Sequence, residues 1–557
     1  MEDWYQEQLK VRRIALDFWV TSSFENILMD SEPGQNVNIN LTAAKNGYVS
    51  AQVVLKCPDR FEIKNVGLIK DVENGIPDSE ITMEYFFEEY ICFKSSIKAF
   101  DNLIESPTGC FPDGLSNERS LIVQPGINQP IWIRFYVPAL VTPGTYDAKV
   151  EVETDRGSFF ADISIKVIPE SLPDSAEASL SVSCWSWNAG RLMEADSKDQ
   201  IFLQYGCQRY SKEWWQVMDS FTESWRLHRI NDILIYPQVL LLDGGSTLDE
   251  KGVYSFRWER FDELIELFIK KGCVKSINGS RLIFTASTVT GDTDYMAYIL
   301  RRATDGSMER ALVPIESPEA SNWWKQFLPA LEHHLSDKDL LKLYYQQIGD
   351  EPHTLQQIYQ WLRVREIFGQ YTSQIKVGDA FNCQKYLHLI KKAVNRWVPR
   401  LDVIEENSDF YSDQINRGRE VWFYLCDYPK GNSLNRCIDQ PVWMNRILFW
   451  LAAGYNVTGV LHWAWNMWQF EADHFDSKGQ SYIVLPDREK LTVKSTLRHE
   501  SMLEGAQDYE LLMLLKRKAP ERFSKLVSKV ILNRNSYETD KDKLKEAVNE
   551  LYEEFLM

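Results

Sequence analysis

The hydrophobic pattern of the chain changes near residue 170, and this change limits the possible folds more than any other feature. Before it, short segments alternate polar with apolar or β-branched residues, and turn signals such as Pro143-Gly144 separate them. Several strands without intervening helices predict an antiparallel β-sandwich. Six predicted strands occupy residues 37–41, 48–55, 83–93, 130–137, 146–153 and 159–167. The proline-containing segment 168–174 has the composition of a linker.

Beyond the linker, short apolar segments alternate with long helical ones, the pattern of β/α units around a parallel sheet. Eight candidate strands occupy residues 180–184, 233–241, 282–285, 343–349, 375–378, 402–404, 421–426 and 457–463. Eight such units predict a (β/α)8 barrel of the TIM type. A doubly wound open sheet is the alternative, although no Gly-x-Gly-x-x-Gly follows any of the strands.

These patterns divide the chain into three parts. We predict a β-sandwich domain over residues 1–172, a (β/α)8 catalytic barrel over residues 173–507 and a C-terminal helical segment over residues 508–557. The sandwich shows no catalytic constellation, so we expect it to support or extend the surface of the barrel.

Charge and composition argue against several classes of protein. The chain has 62 basic and 80 acidic residues, a net charge of −18, so its average surface would repel a nucleic acid. No apolar run reaches the length of a membrane span, and the N-terminus does not resemble a secretory signal. The nine cysteines are scattered without a Cys-x-x-Cys pair, which favours reduced thiols in a cytoplasmic protein over a disulfide framework or zinc site. His333-His334 and His499-Glu500 lack a third metal ligand, and we expect neither metal nor cofactor.

A barrel carries its active site at the C-terminal ends of its strands. The predicted strand ends are rich in carboxylates and aromatic residues, which suit a sugar site: acids protonate a glycosidic oxygen, and rings stack on a pyranose. The chain has 19 Trp and 25 Tyr, although a large core also uses such side chains. The substrate-binding candidates at these ends are Trp185, Trp187, Tyr236, Asp379, Tyr424, Trp463 and Asn466. For the tryptophans, plain core packing is the alternative.

The strongest candidate for catalysis is the consecutive pair Asp350-Glu351, which follows the fourth predicted strand. Neighbours within a strand point to opposite faces, but between Gly349 and Pro352 the backbone can turn so that both carboxyls face one cavity. Two ionised acids so close repel each other, which favours a protonated acid beside a carboxylate. The alternative is a helix N-cap for the helix that starts near Thr354.

The pair could act by either of two mechanisms. A second carboxylate from across the barrel could attack the anomeric carbon, and Asp427, Glu405 and Glu406 are the candidates. Alternatively, the 2-acetamido oxygen of the substrate attacks and forms an oxazolinium ion. That route needs one acid for the leaving group and one adjacent carboxylate for the acetamide N–H, which consecutive acids satisfy better.

Several segments resemble glycoside hydrolase family 123, the β-N-acetylgalactosaminidases, and related uncharacterised domains. They are 345–352 (YQQIGDEP), 420–426 (EVWFYLC), 446–454, 459–468 (GVLHWAWNMW), 497–510 and the turn 143–146 (PGTY). The resemblance implies that Asp350 stabilises the oxazolinium ion, that Glu351 is the general acid/base, and that the anomeric configuration is retained. Family members often carry Gly-Asp-Gly before the final Tyr-Pro, where this chain has Gln480 in place of the aspartate. Either Tyr411 or Tyr424 would donate a hydrogen bond to the acetamide carbonyl.

We therefore expect a cytoplasmic exo-glycosidase that removes terminal β-linked N-acetylgalactosamine from an oligosaccharide or a glycolipid-derived glycan. One rival is a two-carboxylate retaining glycosidase that uses Glu351 with Asp427 or Glu405. The other is a catalytically silent barrel that binds carbohydrate.

Overall fold

The computed structural model describes residues 16–69, 81–93, 100–186, 199–285, 294–383, 385–426, 428–468, 479–533 and 536–556. Its N-terminal part is built from strands. These are β1 (Asp17–Ser22), β2 (Asn38–Lys45), β3 (Gly47–Lys56), β4 (Phe61–Ile69), β5 (Thr82–Cys92), β6 (Cys110–Ser116), β7 (Leu121–Val123), β8 (Asn128–Val137), β9 (Gly144–Thr154) and β10 (Gly157–Ser171).

These strands form two five-stranded sheets with one apolar core. One sheet has the order β1-β3-β8-β5-β6 and the other the order β2-β10-β9-β4-β7. Alternate residues of both sheets meet in the core, for example Val53 and Ile133 with Val150 and Ile163. The predicted sandwich architecture is thus present, but it is not purely antiparallel, because β10 pairs with β2 in parallel.

Two of the cysteines correct the expectation of reduced thiols throughout the chain. Cys92 at the end of β5 and Cys110 at the start of β6 are paired across the two strands and form a disulfide. Adjacent antiparallel strands place directly opposed residues close enough for this bond. No sequence motif marks this disulfide, since the cysteines are 18 residues apart and only the pairing of the two strands brings them together.

The C-terminal part contains a closed barrel of parallel strands in the order β11-β12-β15-β19-β20-β21-β22-β23. The strands of this part are β11 (Ser181–Cys184), β12 (Asp232–Ile235), β13 (Thr247–Leu248), β14 (Tyr254–Ser255), β15 (Ser276–Gly279), β16 (Ile283–Thr285), β17 (Tyr295–Arg302), β18 (Met308–Pro314), β19 (Tyr344–Gln346), β20 (Lys376–Phe381), β21 (Arg396–Pro399), β22 (Glu420–Leu425), β23 (Gly459–His462), β24 (Leu485–Asp487), β25 (Thr492–Lys494), β26 (Ile531–Asn533) and β27 (Ser536–Tyr537). The predicted eight-stranded barrel is confirmed.

Helices surround the barrel and continue to the C-terminus. They are α1 (Gln200–Tyr205), α2 (Lys212–Leu227), α3 (Pro237–Asp243), α4 (Glu259–Lys270), α5 (Pro318–Asp337), α6 (Leu355–Tyr371), α7 (Leu387–Ile390), α8 (Leu401–Glu406), α9 (Ser408–Asn416), α10 (Met444–Gly454), α11 (Leu497–Lys518), α12 (Pro520–Val530) and α13 (Lys541–Glu553). Within the described residues, none of them combines the length and the apolar character needed to cross a membrane.

Three of the eight predicted strands are wrong in place or extent. The third barrel strand is β15, whereas residues 283–285 belong to a separate antiparallel sheet, β16-β17-β18, inserted before α5. The sixth strand is β21, and residues 402–404 lie in α8. The second strand ends at Ile235, after which Pro237 opens α3.

Polar side chains facing the barrel interior explain why the third and sixth strands do not look like buried strands in the sequence. Asp232 of β12 accepts hydrogen bonds from Ser276 and Asn278 of β15, and the Arg396 guanidinium of β21 lies 3.2 Å from its carboxylate. Arg396 also contacts Glu420 at 2.8 Å. Because these groups satisfy one another, the strands can be buried without being apolar.

Helix α11 joins the sandwich to the barrel through buried ion pairs. Glu500 contacts Arg134 of β8 at 2.9 Å, and Arg498 contacts Asp113 of β6 at 2.9 Å. On the barrel side, Asp508 accepts a 2.6 Å hydrogen bond from Arg446 of α10. The helix runs through residue 508, where we placed the start of the helical tail, and the division into three domains stays a prediction.

Candidate active site

The Asp350-Glu351 pair lies at the C-terminal end of β19, the fourth barrel strand. Glu351 has a left-handed backbone with φ of +48°, which breaks the alternation of a strand at this residue. The N-cap interpretation is wrong, because Thr354 caps helix α6 and forms a capping box with Gln357. The two acids are therefore not used to start the helix.

Asp350 is held by a cation. The Arg281 guanidinium, from the segment after β15, lies 2.5 Å from the Asp350 carboxylate, and both side chains are mostly buried. The guanidinium stacks over the rings of Trp185 and Phe284 at 5.4 and 5.3 Å. In addition, the Tyr295 hydroxyl donates a 2.6 Å hydrogen bond to the backbone carbonyl of Asp350.

Glu351 is held from a different strand. The hydroxyl of Tyr424, near the end of β22, donates a short hydrogen bond to Glu351 Oε1. The Glu351 backbone N–H donates to the carbonyl of Ala380 in β20 at 3.2 Å. The two neighbouring carboxyls thus have separate partners, a guanidinium for Asp350 and a phenol for Glu351.

The Asp379 side chain holds the loop that carries Asp350. Its carboxylate accepts hydrogen bonds from the backbone N–H groups of Ile348 and Gly349 at 3.1 and 2.9 Å, and from the Trp361 indole at 2.7 Å. Burial raises the pKa of Asp379 to about 7, although these hydrogen bonds oppose the shift. Because the side chain is fully buried and occupied by protein donors, it positions the Asp350 loop and does not present a surface to substrate.

Most of the predicted aromatic residues lie together at this end of the barrel. Trp185, Tyr236 and Tyr424 belong to one buried apolar cluster, with Trp463 packed against it. Asn466 is fully buried and pairs with Tyr482 through an isolated β-bridge. Two further predicted residues, Trp187 and Asp427, lie outside the described part of the chain.

Tyr411 and Glu405 are not brought to the Asp350-Glu351 pair. Both line a separate cavity of about 180 Å³ among α8, α9 and the end of α10. There the Tyr455 hydroxyl donates to Glu405 at 3.0 Å, and burial raises the pKa of Glu405 to about 7. The placement of Glu405 at the rim followed from the wrong sixth strand, since the true strand ends at Pro399 and both residues lie on helices.

Gln480 is also buried, and its amide donates a short hydrogen bond to the Asn435 side chain. Asn435 in turn donates to the carbonyl of Cys426 at 2.9 Å, just beyond β22. In this chain the glutamine therefore links the loops that follow the seventh and eighth barrel strands. Among the described residues, no group of three or more His, Cys, Asp and Glu side chains is arranged to hold a metal ion.

Sequence reasoning missed Arg281 and Tyr295. Arg281 comes two residues after β15, so a correct third strand would have placed it on the rim with the other candidates. Tyr295 belongs to the inserted sheet, whose Phe284 and Tyr298 also join the apolar cluster. No sequence motif marked this insertion as part of the site.

Comparison with known protein families identifies the family of this chain. The model of the glycoside hydrolase 123 catalytic domain matches residues 197–515, which is more than half of the chain. The chain belongs to glycoside hydrolase family 123. The model of the family 123 N-terminal domain matches residues 26–154. The resemblance inferred from the sequence is confirmed, and this family 123 protein is a glycoside hydrolase.

Among solved structures, the family 123 chain is similar to a family 123 glycoside hydrolase from Clostridium perfringens, studied for glycolipid glycan hydrolysis. The two share 16% identity with a TM-score of 0.74, over 97% of this chain and 98% of the other. Weaker similarities are to a GH10 xylanase from termite gut (9% identity, TM-score 0.33, 85% and 99% covered) and to a β-glucuronidase from an uncultured Clostridium (10%, 0.33, 88% and 68%). No curated protein sequence matches the chain.

Proposed function

We propose that this family 123 enzyme removes a terminal β-linked N-acetylgalactosamine from an oligosaccharide or a glycolipid glycan by substrate-assisted catalysis. The observation that carries the proposal is the pair of consecutive carboxyls at the end of β19, bound by Arg281 and by Tyr424. One adjacent pair can serve the amide of a 2-acetamido sugar and its departing oxygen together.

In the first step, the acetamide carbonyl oxygen attacks the anomeric carbon while the glycosidic C–O bond breaks. Glu351 gives its proton to the departing oxygen, and the bicyclic oxazolinium ion forms. In the second step, Glu351 takes a proton from a water molecule that attacks the same carbon and reopens the ring. Two displacements at one carbon leave the configuration unchanged.

Asp350 accepts the acetamide N–H in this proposal and stabilises the positive charge of the oxazolinium ion. The Arg281 guanidinium keeps its carboxylate in one orientation. Tyr295 fixes the backbone of the same residue. A fixed carboxylate needs no reorganisation when the charge develops, which is the main source of electrostatic stabilisation in an active site.

The rival two-carboxylate mechanism needs a second acid about 5 Å from Glu351. Glu405 lies in the separate cavity among the helices, which gives it no support as that acid. Asp427 follows β22 by two residues and is tested directly by the Asp427→Asn variant. Substrate assistance predicts nearly unchanged turnover for this variant, whereas a nucleophilic Asp427 predicts its loss.

The deciding experiment compares aryl β-glycosides that differ only at C2 and C4. We expect turnover of the 2-acetamido galactoside, little turnover of the galactoside with a 2-hydroxyl, and slower turnover of the 2-acetamido glucoside. A thiazoline mimic of the oxazolinium ion is expected to inhibit competitively. Equal rates for the 2-acetamido and 2-hydroxy sugars, or no thiazoline inhibition, would contradict the proposal.

A further inference from the structure

A second cavity lies between the sandwich and the barrel, at the end of the barrel opposite to the catalytic pair. It has a volume of about 330 Å³. Its barrel side comes from residues that precede β11, β12 and β15, and therefore lies at the N-terminal ends of these strands. Its sandwich side includes Tyr48 of β3 and Tyr136 of β8. Small-molecule sites are typically of at least this size and favour domain interfaces.

Arg229 is the unusual residue of this cavity. It is only 6% exposed, and its guanidinium donates to two backbone carbonyls, those of Pro173 at 2.8 Å and Asn46 at 3.1 Å. It forms no ion pair with any carboxylate in the described part of the chain. Two of its five N–H groups are used, so three are left for another acceptor. A buried cation with neutral partners alone is costly, and burial lowers the pKa of Arg229.

Two further cations line the same cavity. Arg226 and Lys271 are partly paired with acids of α2, at 2.6 Å to Glu223 and 3.0 Å to Asp219. The lining carboxylates are Asp174 and Glu177. Because the acids of α2 offset the charges of Arg226 and Lys271, Arg229 is the lining cation without an ion-pair partner among the described residues, and an anionic group would neutralise it.

The remaining lining groups suit a polyhydroxylated ring. The Ser175 side chain is 5% exposed, and its hydroxyl has no hydrogen-bond partner among the residues that the structure describes. Asp174 and Glu177 are exposed carboxylates that can accept from sugar hydroxyls. The Tyr48 and Tyr136 rings are 4.9 Å apart and add aromatic surface with polar ends. A purely apolar acid would offer no hydrogen-bond partner to the serine hydroxyl.

We propose that this cavity binds an anionic monosaccharide, a single sugar ring that carries a carboxylate, phosphate or sulfate group. The anionic group contacts the free N–H groups of Arg229, with Lys271 and Arg226 nearby. The hydroxyls of the ring contact Ser175 and the two carboxylates. The site is separate from the catalytic pair and does not depend on which glycoside the enzyme cleaves.

Calorimetric titration of the full chain tests the proposal with glucuronate, glucose 6-phosphate and galactose 6-sulfate as separate probes. Neutral galactose and inorganic phosphate and sulfate are the comparison ligands. We expect saturable binding of at least one sugar anion, with the best probe identifying the anionic group. Lys271→Gln is expected to raise its dissociation constant about tenfold. The neighbouring Lys270→Gln, on an exposed side chain paired with Glu266, is the matched control and is expected to leave it unchanged.

Arg229→Gln is expected to abolish binding. If this variant fails to fold, the comparison of Lys271→Gln with Lys270→Gln decides the outcome. Glycosidase activity is expected to be the same in Lys271→Gln and in the unsubstituted enzyme. The proposal is overturned if no sugar anion binds, if galactose or the inorganic ions bind as tightly, or if Lys271→Gln binds as tightly as Lys270→Gln.

Discussion

Asp350 and Glu351 are neighbours in the sequence, but they are held by side chains from different strands. Arg281 comes from beyond β15, and Tyr424 belongs to β22. The left-handed backbone at Glu351 lets the two carboxyls leave the usual alternation of a strand. A substitution at either partner therefore changes one carboxyl without moving the other, and the two roles can be tested separately.

Replacing Glu351 by Gln removes the proton donor and keeps the shape of the side chain. We expect kcat to fall about 10²–10⁴-fold, the usual contribution of general acid–base catalysis, with ligand binding retained. Aryl glycosides with good leaving groups need less protonation, so their first step is expected to suffer less. Steady-state kinetics on a leaving-group series checks this, and an equal loss for every leaving group would contradict it.

Tyr424→Phe removes the hydrogen bond to Glu351. A bond to a charged group contributes about 1.5–3 kcal/mol, so we expect kcat to fall about 10–150-fold. Tyr411→Phe is the matched control, because Tyr411 lies in the cavity among the helices and its hydroxyl has no hydrogen-bond partner within the described ranges. The reverse ranking of the two variants would assign the acetamide contact to Tyr411.

Asp379 makes stability depend on pH. Its folded pKa of about 7 lies above the ordinary value of 3.8, so the folded state holds its proton more strongly than the unfolded state. Protonated Asp379 therefore adds on the order of 1–4 kcal/mol to the free energy of unfolding. This stabilisation is fully present below about pH 4 and is lost as the pH rises to 7. Asp379→Asn is expected to remove it. Urea unfolding at pH 5 and pH 8 measures how the free energy of unfolding changes with pH in the variant and in the unsubstituted protein. The same change in both proteins would refute the prediction.

At the scale of elements, the sequence pattern located most of the barrel strands but missed β15 and β21, which carry polar side chains toward the barrel interior. β22 and β23 read directly as buried strands. β15 carries Ser276 and Asn278 and β21 carries Arg396, and these residues are satisfied by side chains on other strands, Asp232 for all three and Glu420 for Arg396 as well. No local sequence pattern reveals these contacts between strands. The position of Asp350 and Glu351 at a strand end could be predicted because they follow β19, whereas Arg281 was missed because the strand that precedes it, β15, was assigned to the wrong residues.

Helix α11 provides a prediction at the same scale. Glu500 is buried between Arg134 and His228, with N–O distances of 2.9 and 3.0 Å. Although burial raises the pKa of Glu500, the charge of Arg134 and the hydrogen bond with His228 hold this pKa well below its usual range, so the stabilisation by Glu500 is present near neutral pH and is lost in strong acid. Glu500→Gln removes one of the two counter-ions of Arg134, which keeps Glu84 at 2.8 Å, and we expect a loss of about 1–3 kcal/mol.

The matched control is Glu366→Gln. Its partner Arg363 lies at 3.0 Å, but both side chains are exposed, so we expect a change below about 1 kcal/mol. Denaturant unfolding of both variants gives the comparison. Equal destabilisation would mean that the ion pairs of α11 do not join the two domains.

At the scale of the whole molecule, the sandwich and the barrel share buried charges. Asp113 and Arg134 of the sandwich each face a partner on α11, and separating the two parts would leave Asp113 and Arg498 without counter-ions. The sandwich is thus a structural component of the folded enzyme.

We therefore expect a single cooperative unfolding transition in scanning calorimetry. Residues 173–557 expressed alone are expected to be insoluble or partly unfolded, because Arg498 and Glu500 lose their partners. Co-expression with residues 1–172 is the control for recovery. Two resolved calorimetric transitions, or a soluble and active barrel on its own, would contradict this expectation.

The sheet β16-β17-β18 is a side branch of the barrel, and its length is independent of the spacing that eight closed strands impose. It nevertheless supplies Tyr295 to the loop that carries Asp350. Insertions or deletions in its hairpins can therefore reshape the entrance to the site while the ring of strands stays intact. Evolution can thus adapt such an enzyme to a new glycan through changes in this one sheet, while the barrel strands keep their positions.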